Sequence, residues 1–203
     1  MSKIIIIAKG NSLLNSNLGN QIDNFDKIIR VNHMPEIFNQ KDIGSKTHIF
    51  CGRFYKKILK VKDKLNNVSM WHAHPKSLVS KYQDKTQLTL DSLNKEQIEY
   101  MNEEDLELIK KHFNKSYIEN YSKSLTDLTY DMCFPDTGFS TIIMCLNRFK
   151  NYEIFVAGFD NYKNKNKNIY EIKTDDTIFR TPVLSQEIFY KKMLSTKKIY
   201  EFK

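Results

Sequence analysis

The feature that most constrains the fold is the run of isoleucines from Ile4 to Ile7, which Ala8 extends. β-branched residues favour extended backbone, and a strand that is apolar on both faces has to be covered on both sides of its sheet. The run ends at Lys9-Gly10-Asn11, a sequence typical of a turn. The start of the chain therefore predicts a strand that is buried on both faces of a sheet.

Later segments continue this pattern of strands and helices. Further strands are predicted over residues 27–32, 47–51, 68–73 and 153–158. Helices are predicted over residues 18–25, 54–65, 94–112 with Asn94 as the cap, 139–149 and 184–194, and loops over 115–131 and 163–168. Strands that alternate with helices pair in parallel. The length of 203 residues is that of one domain, so we expect residues 1–203 to form a single domain. The predicted architecture is an α/β/α sandwich with a Rossmann-like, mostly parallel sheet.

The composition gives weaker evidence about where the protein works and what it binds than the strand pattern gives about its fold. With 32 basic and 24 acidic residues the formal charge is +8, which suits nucleic acid, an anionic membrane surface or a nucleotide-sugar, or reflects only a solvated lysine surface. The three cysteines, Cys51, Cys133 and Cys145, lack the spacing of a zinc site and the even number of a disulfide framework. No apolar run reaches about 18 residues, the length that spans a membrane. We therefore expect a cytoplasmic protein.

Polar residues follow the first two predicted strands at the point where each strand ends. Gly10-Asn11-Ser12 comes after the first strand, and Asn32-His33 comes after the second. In open α/β sheets the carboxyl ends of the strands form the ligand crevice, and glycine lets the backbone approach a ligand closely. A following helix N-terminus would favour phosphate. These residues alone leave two interpretations open, a phosphate-binding turn and an ordinary Gly-Asn turn.

A third segment, Asp42-Ile43-Gly44-Ser45-Lys46-Thr47, completes a set that runs in order between Ile4 and His48. This set resembles the long sialylmotif of glycosyltransferase family 29, which has a Gly-Asn-Ser turn, an Ile-Asp, a Val-Asn after Arg, and an Asp-x-Gly-Ser-basic-Thr. The short sialylmotif of that family is similar to residues 135–139, Pro-Asp-Thr-Gly-Phe, followed by an apolar helix and by residues 156–159, Val-Ala-Gly-Phe. The resemblance covers residues 4–50 and 134–162.

The resemblance implies a protein that binds a CMP-activated sugar. Asn11 and Asn32 would hold the phosphate and ribose of CMP, with Gly10 and Ser12 in the same turn as Asn11. The cytidine would be lined by Thr137, Gly138, Gly158 and Phe159. Gly138 and Phe159 are equally compatible with structural roles, as a helix start and a core residue. The fold implied is a GT-A-like variant without a DxD motif.

Residues 158–162, Gly-Phe-Asp-Asn-Tyr, and the later Tyr170 also resemble the bacterial family 42 sialyltransferases. By that resemblance Asp160 belongs to the CMP-sugar site, and Tyr162 and Tyr170 would donate hydrogen bonds to the departing phosphate, where negative charge develops. A surface position is the alternative for Tyr170. CMP carries a single phosphate, so we expect no metal and no other cofactor, and we interpret Asp175-Asp176 as a solvated pair.

One element of both families is missing, the histidine near the C-terminal end that acts as general base. Glu187 resembles the family 29 glutamate, but the position five residues earlier is Pro182, and no histidine follows His112. A positioned base contributes about 10²–10⁴-fold, so a substitute is needed. The candidates are His33, which we favour because it follows Asn32, then His72, His74, Asp175, Asp176 and Glu187.

The sequence therefore predicts a metal-independent, sialyltransferase-like enzyme that moves sialic acid or a related keto-sugar from CMP to a saccharide, with inversion. Synthesis of a lipopolysaccharide or capsule glycan would suit such an enzyme, with peripheral membrane contact through the basic surface and no role for nucleic acid. Two alternatives stay open: a CMP-Kdo-type transferase, and a silent CMP-binding protein that lacks a base. The family 29 disulfide that joins the two sialylmotifs has no counterpart, since Ile6 and the region around Lys150 carry no cysteine.

Overall fold

The computed structural model describes residues 1–36, 39–52, 61, 63–76, 93, 98–112, 135–160 and 180–203, with the side chains of 180–185 left aside. In this part of the chain seven strands form one sheet, in which every neighbouring pair is parallel. The strands are β1 (Lys3–Ile7), β2 (Lys27–Val31), β3 (Ile49–Gly52), β4 (Ser69–Pro75), β5 (Ile98–Met101), β6 (Glu153–Ala157) and β7 (Tyr200–Glu201). The prediction of a mostly parallel sheet is confirmed.

The strand order is β5-β4-β3-β2-β1-β6-β7, so the chain runs outward from β1 on one side and returns to its other side through β6. The isoleucine run thus lies in the middle of the sheet, paired with β2 through Ile4↔Lys27 and with β6 through Ile4↔Ile154. The point where the order reverses, beside β1, is where open α/β sheets leave a crevice at the carboxyl ends of their strands.

Helices cover both faces of the sheet. They are α1 (Gly19–Ile22), α2 (Gln40–Ile43), α3 (Glu103–His112), α4 (Thr137–Arg148) and α5 (Arg180–Ser195), with a 3₁₀ turn at Asn11–Leu13. Ile4 and Ile6 pack in one core with residues of α3, α4 and α5, whereas Ile5 and Ile7 pack in the opposite core with residues of α1 and α2. All four isoleucine side chains are fully buried. This arrangement confirms the α/β/α sandwich.

The prediction of one helix over residues 94–112 is wrong in its first half, because β5 occupies Ile98–Met101 and the helix begins at Glu103. The cap is Asn102, whose Oδ1 accepts a hydrogen bond of 2.9 Å from the backbone N–H of Asp105. Asp105 Oδ2 in turn accepts a hydrogen bond of 3.0 Å from the backbone N–H of Asn102. This reciprocal arrangement is a capping box. Pairing with β4 holds residues 98–101 extended despite a pattern compatible with a helix.

Other predicted elements are either found or lie outside the described residues. The helices over 139–149 and 184–194 correspond to α4 and α5, while the loops over 115–131 and 163–168, Asn94, and most of the helix over 54–65 fall outside. In the described ranges, no helix is both long enough and apolar enough to cross a bilayer. Cys51 and Cys145 are buried and form no disulfide.

Candidate functional site

The turns that follow β1 and β6 are joined to each other at the carboxyl edge of the sheet. The N–H of Gly10 donates to the carbonyl oxygen of Gly158 at 2.8 Å, next to a bond of 2.9 Å from the N–H of Ala8 to Ala157. A Cβ atom on Gly10 would lie 2.4 Å from the Gly158 oxygen. Gly158 has a φ of 70°, in the left-handed region that favours glycine. Both predicted glycines are therefore required by the way the turns meet.

A carboxylate fastens the same two turns side by side. Asp160 Oδ2 accepts a hydrogen bond of 3.1 Å from the N–H of Ser12, and Ser12 Oγ donates to Asp160 Oδ1 at 2.5 Å. Asn11, between Gly10 and Ser12, is partly exposed. The structure thus brings together five residues that the sequence assigned to one site, and it shows that Gly10 bonds to Gly158 and Ser12 to Asp160.

The second predicted motif meets the first through Phe159. Asp136 caps α4 by accepting from the N–H of Phe139 at 3.0 Å, which fixes Thr137 and Gly138 in the first turn of the helix. A Cβ atom on Gly138 would lie 3.0 Å from the Phe159 ring, so the start of α4 packs closely on the turn after β6. The turns around Asn11 and Thr137 therefore lie at one edge of the sheet, linked through Gly158 and Phe159. The turns after β1 and β6 and the start of α4 thus lie in contact with one another.

Tyr190, which the sequence did not single out, backs this junction. Its ring stacks on Phe159 with centroids 5.9 Å apart, and Phe139 meets both rings edge-on at 6.1 Å. Burial raises the pKa of the Tyr190 hydroxyl, and the carboxylates of Glu201 and Asp160 raise it further, so the side chain stays neutral. The available signal was the apolar spacing of Phe189, Tyr190 and Met193 in α5, which indicated a core helix face and not a site.

Asn32 ends β2 in a conformation that few residues adopt. Its φ is 59°, and its backbone N–H donates to the carbonyl oxygen of Cys51 at 2.9 Å. Asparagine tolerates the left-handed region better than other side-chain-bearing residues. The residue is exposed, and its Oδ1 would lie 3.2 Å from a Cβ on Gly52, so glycine at the end of β3 leaves room for the amide. An exposed amide thus stands at the strand end next to β1.

His33 is held in one tautomer by its own strand. Its Nδ1 lies 2.8 Å from the carbonyl oxygen of Val31, which can only accept, so Nδ1 carries the proton and Nε2 keeps its lone pair. Burial lowers the pKa of His33 to about 4, and the charges of Arg30 and Lys9 act in the same direction, against the raising effect of the Val31 bond. At neutral pH the imidazole is therefore uncharged, with one basic nitrogen.

This histidine should make stability depend on pH. Its folded pKa of about 4 is below the ordinary 6.5, so between these values the unfolded chain binds a proton that the folded protein does not. Stability should therefore fall as the pH drops from 6.5 to 4, by about 2 kcal/mol for this partly exposed residue. Urea unfolding at pH 7 and pH 4.5 checks this: His33→Gln should lose less stability than the native chain, and an equal loss would contradict the assignment.

The other candidate bases have different surroundings. Glu187 forms an ion pair of 2.8 Å with Lys191 on α5. His72 and His74 are buried on one face of β4, with ring centroids 5.7 Å apart, so an acceptor saccharide has no access to them. Tyr162, Tyr170, Asp175 and Asp176 lie outside the described residues. Of the described candidates, His33 follows β2, the strand that pairs with β1.

A cavity of about 620 Å³ opens at the opposite edge of the sheet, at the amino ends of the strands. The Trp71 ring that lines it is covered by other side chains, because Arg148 lies 4.5 Å over the ring centroid and Phe149 stacks on the ring at 5.7 Å. Arg148 is itself paired with Glu99 and Asp105 at 3.1 Å each. The Trp71 ring and the Arg148 side chain are thus engaged within the protein, and the cavity lies at the edge of the sheet opposite to the two motifs.

Among the residues that the structure describes, no three His, Cys, Asp or Glu side chains stand close enough together to hold an ion. The independence from metal that the sequence predicts stays a prediction.

Comparisons with known proteins agree with this geometry. Residues 2–182 match the family model described as glycosyltransferase family 29 (sialyltransferase). A CMP-N-acetylneuraminate-beta-1,4-galactoside alpha-2,3-sialyltransferase of Rattus norvegicus is 44% identical over 45 residues, which are 22% of this chain and 12% of that protein. The chain thus aligns with about an eighth of the length of this curated relative.

Solved structures show the same fold over the whole chain. A mammalian sialyltransferase superimposes with a TM-score of 0.59 at 18% identity, covering 100% of this chain and 69% of the other. A mammalian sialyltransferase in complex with Gal-beta-1-3GalNAc-ortho-nitrophenol gives a TM-score of 0.58 at 19% identity with the same coverage. At this level of identity the likeness concerns the fold.

Proposed function

The chain belongs to glycosyltransferase family 29, the sialyltransferases, and on that premise we propose that it transfers sialic acid from CMP-sialic acid to a saccharide acceptor with inversion. The observation that carries the proposal is the junction of the two motifs beside β1, made by the 2.8 Å bond from Gly10 to Gly158 and the packing of Gly138 on Phe159. A single nucleotide that spans this junction would touch both motifs.

In this proposal the nucleotide lies across the strand ends. Asn11 and the exposed amide of Asn32 bind the phosphate and ribose, while Thr137, Gly138, Gly158 and Phe159 line the cytidine. Tyr162 and Tyr170 donate hydrogen bonds to the leaving phosphate, a role that the resemblance to family 42 implies. Uncharged amide and hydroxyl donors suffice for one phosphate, so the reaction needs neither a metal nor another cofactor.

The reaction itself needs a base on the acceptor side. The acceptor hydroxyl oxygen attacks the anomeric carbon on the face opposite CMP, the bond from that carbon to the phosphate oxygen breaks, and its electron pair leaves with CMP. The hydroxyl proton passes to the base, for which His33 Nε2 is our choice because the bond from Nδ1 to Val31 leaves that nitrogen deprotonated. Glu187 is the alternative, and its pairing with Lys191 makes it less available.

A nucleotide panel tests the CMP site. Calorimetry with CMP, UMP, GDP and NAD should show a preference for CMP, and Asn32→Gly should weaken CMP binding about tenfold by removing a hydrogen-bonding amide. We choose glycine because it removes the amide and adopts the φ of 59° without strain, so the backbone turn is kept. Asn24→Gly, at an exposed asparagine before β2, is the matched control.

The result can contradict the proposal in two ways. Equal affinity for UMP or NAD would remove the CMP assignment, and unchanged CMP binding by Asn32→Gly would remove the role of Asn32. CMP binding without transfer from CMP-sialic acid to any acceptor would favour the silent CMP-binding protein, whose supporting observation is the absent family histidine. Transfer from CMP-Kdo instead of CMP-sialic acid would favour the Kdo-type enzyme.

We further propose that the enzyme works in the cytoplasm on a bacterial-type surface glycan such as lipopolysaccharide or capsule. The buried thiols of Cys51 and Cys145 suit a reducing compartment, and burial raises the pKa of Cys51 to about 12, which keeps it protonated and unreactive. Ile6 and the region around Lys150 carry no cysteine that could form the family disulfide. The excess of basic residues suits peripheral contact with an anionic membrane.

A further inference from the structure

The carboxylate of Asp160 uses both of its oxygens within the protein. Oδ1 receives the hydroxyl of Ser12 and Oδ2 receives its backbone N–H, across 148 positions of sequence. We propose that Asp160 is a positioning residue for CMP binding, which holds the turn of residues 10–12 so that Asn11 faces the phosphate. This inference rests on the proposed function and deepens it.

The packing of this carboxylate explains why it can sit next to a phosphate site. A Cβ on Gly10 would come within 2.5 Å of Asp160 Cγ and Oδ1, so the carboxylate lies directly against the backbone of Gly10. A carboxylate turned toward a bound phosphate would repel it, whereas one that is bonded to two donors of the opposite turn has its charge partly satisfied. The absence of a side chain at Gly10 thus makes room for Asp160.

The same bonds give Asn11 and Ser12 different roles in the turn. Because the hydroxyl and N–H of Ser12 both point to Asp160, they are engaged by the protein and are not the groups that hold the nucleotide. Asn11 is left as the partly exposed polar side chain of residues 10–12 that can meet a phosphate. Ser12 and Asp160, both predicted to contact CMP, instead act through Asn11.

The position of Asp160 also couples the two motifs. It follows Phe159, whose ring packs on Gly138 and stacks on Tyr190, so the residue that orients the first turn is fixed by the residue that lines the second. A shift of Asp160 would therefore move Asn11 relative to the cytidine side of the site. Such a shift should lower the affinity for CMP.

A double-mutant cycle on the full chain tests this proposal. Ser12→Ala, Asp160→Asn and the double variant are compared with the native chain by calorimetry with CMP and by kcat and KM for CMP-sialic acid. Since the bonds involve a charged group, each single variant should raise the Kd for CMP about tenfold, with a similar rise in KM and kcat within about threefold. The double variant should be no weaker than Asp160→Asn, because both changes break the same contact. Ser12→Thr, which keeps both donors, should bind CMP like the native chain.

The matched control is Asp26→Asn, since Asp26 also accepts from a backbone N–H, that of Lys3 at 2.7 Å, but at the amino edge of the sheet. It should leave the Kd unchanged. Effects that multiply in the double variant would mean that Ser12 and Asp160 contact CMP separately, and unchanged affinity in both single variants would mean that the bond has no part in binding. Either outcome overturns the positioning role while CMP binding by the native chain still supports the proposed function.

If the native chain does not bind CMP, the proposed function fails and this inference fails with it. If Asp160→Asn does not fold, the exposed Ser12→Ala decides the question. Its loss of CMP affinity at an unchanged melting temperature would support the positioning role, and native affinity would overturn it.

Discussion

Replacing His33 by glutamine is expected to lower kcat about 100-fold while the Kd for CMP stays within about threefold. General bases contribute about 10²–10⁴-fold, and a base with a pKa of about 4 is fully deprotonated at neutral pH but takes up a proton weakly, so we expect the lower end. Glutamine keeps a polar side chain of similar length that can donate to Val31, and it cannot accept a proton.

The pH profile separates this role from a structural one. With the native chain, kcat/KM should stay level down to about pH 5 and then fall as His33 becomes protonated. The control is His48→Gln, an exposed histidine before β3 whose Nδ1 accepts from the N–H of Ile28 at 3.0 Å, and its kcat should stay within about twofold of native. Native turnover in His33→Gln would place the base elsewhere, with Glu187 next to be tested.

Replacing Arg30 by methionine should destabilise the fold more than any of the substitutions above, with a loss of about 3–5 kcal/mol in the free energy of unfolding because several buried acceptors lose their donor. The Arg30 side chain is fully buried. Its Nη2 donates to the carbonyl oxygens of Ile43 and Gly44 at 2.8 and 3.1 Å, and its Nε donates to Thr47 Oγ1 at 2.9 Å. Methionine fills similar space but leaves these carbonyls without a donor.

The charge of Arg30 matters as well as its hydrogen bonds. Burial lowers the pKa of Arg30 to about 10, against the raising effect of Asp23, so the guanidinium is still charged at neutral pH. Asp23 accepts from the backbone N–H groups of Ser45 and Lys46 at 2.9 Å each, so Arg30 and Asp23 both hold backbone groups of the segment before β3. Denaturant unfolding measures the loss, with Lys41→Met, an exposed cation on α2, expected to stay within about 0.5 kcal/mol. A loss below about 1 kcal/mol for Arg30→Met would contradict this account.

The features that could be predicted are those encoded locally. The isoleucine run indicated a strand buried on both faces, and the polar residues after β1, β2 and β6 indicated a site, because a parallel sheet gathers the ends of its strands at one edge. The two-residue strand β7 is too short for any periodic signal, and the four residues of β5, with Glu99 among them, also suit a helix. In both segments the extended conformation comes from pairing with a neighbouring strand.

What could not be predicted is how distant residues pair. The bond between Ser12 and Asp160 and the stack of Phe159 on Tyr190 depend on the register of β1 with β6 and on the placement of α5, neither of which any local pattern states. The tautomer of His33 follows from a contact with Val31, two residues earlier, but the loss of solvent that lowers its pKa comes from the folded surroundings. Residue types therefore indicated the site, and the tertiary structure assigned the roles.

The central position of β1 has a consequence for how the molecule folds. Along the chain β1 precedes the other six strands of the described sheet, yet its partner β6 is about 150 residues downstream, and the two pair along their full length from Lys3↔Glu153 to Ile7↔Ala157. Contacts between such distant segments carry a large loop-closure entropy and slow the search for the native state. Until β6 arrives, the isoleucine edge is open to other extended segments, so nascent chains should rely on chaperones that shield such edges.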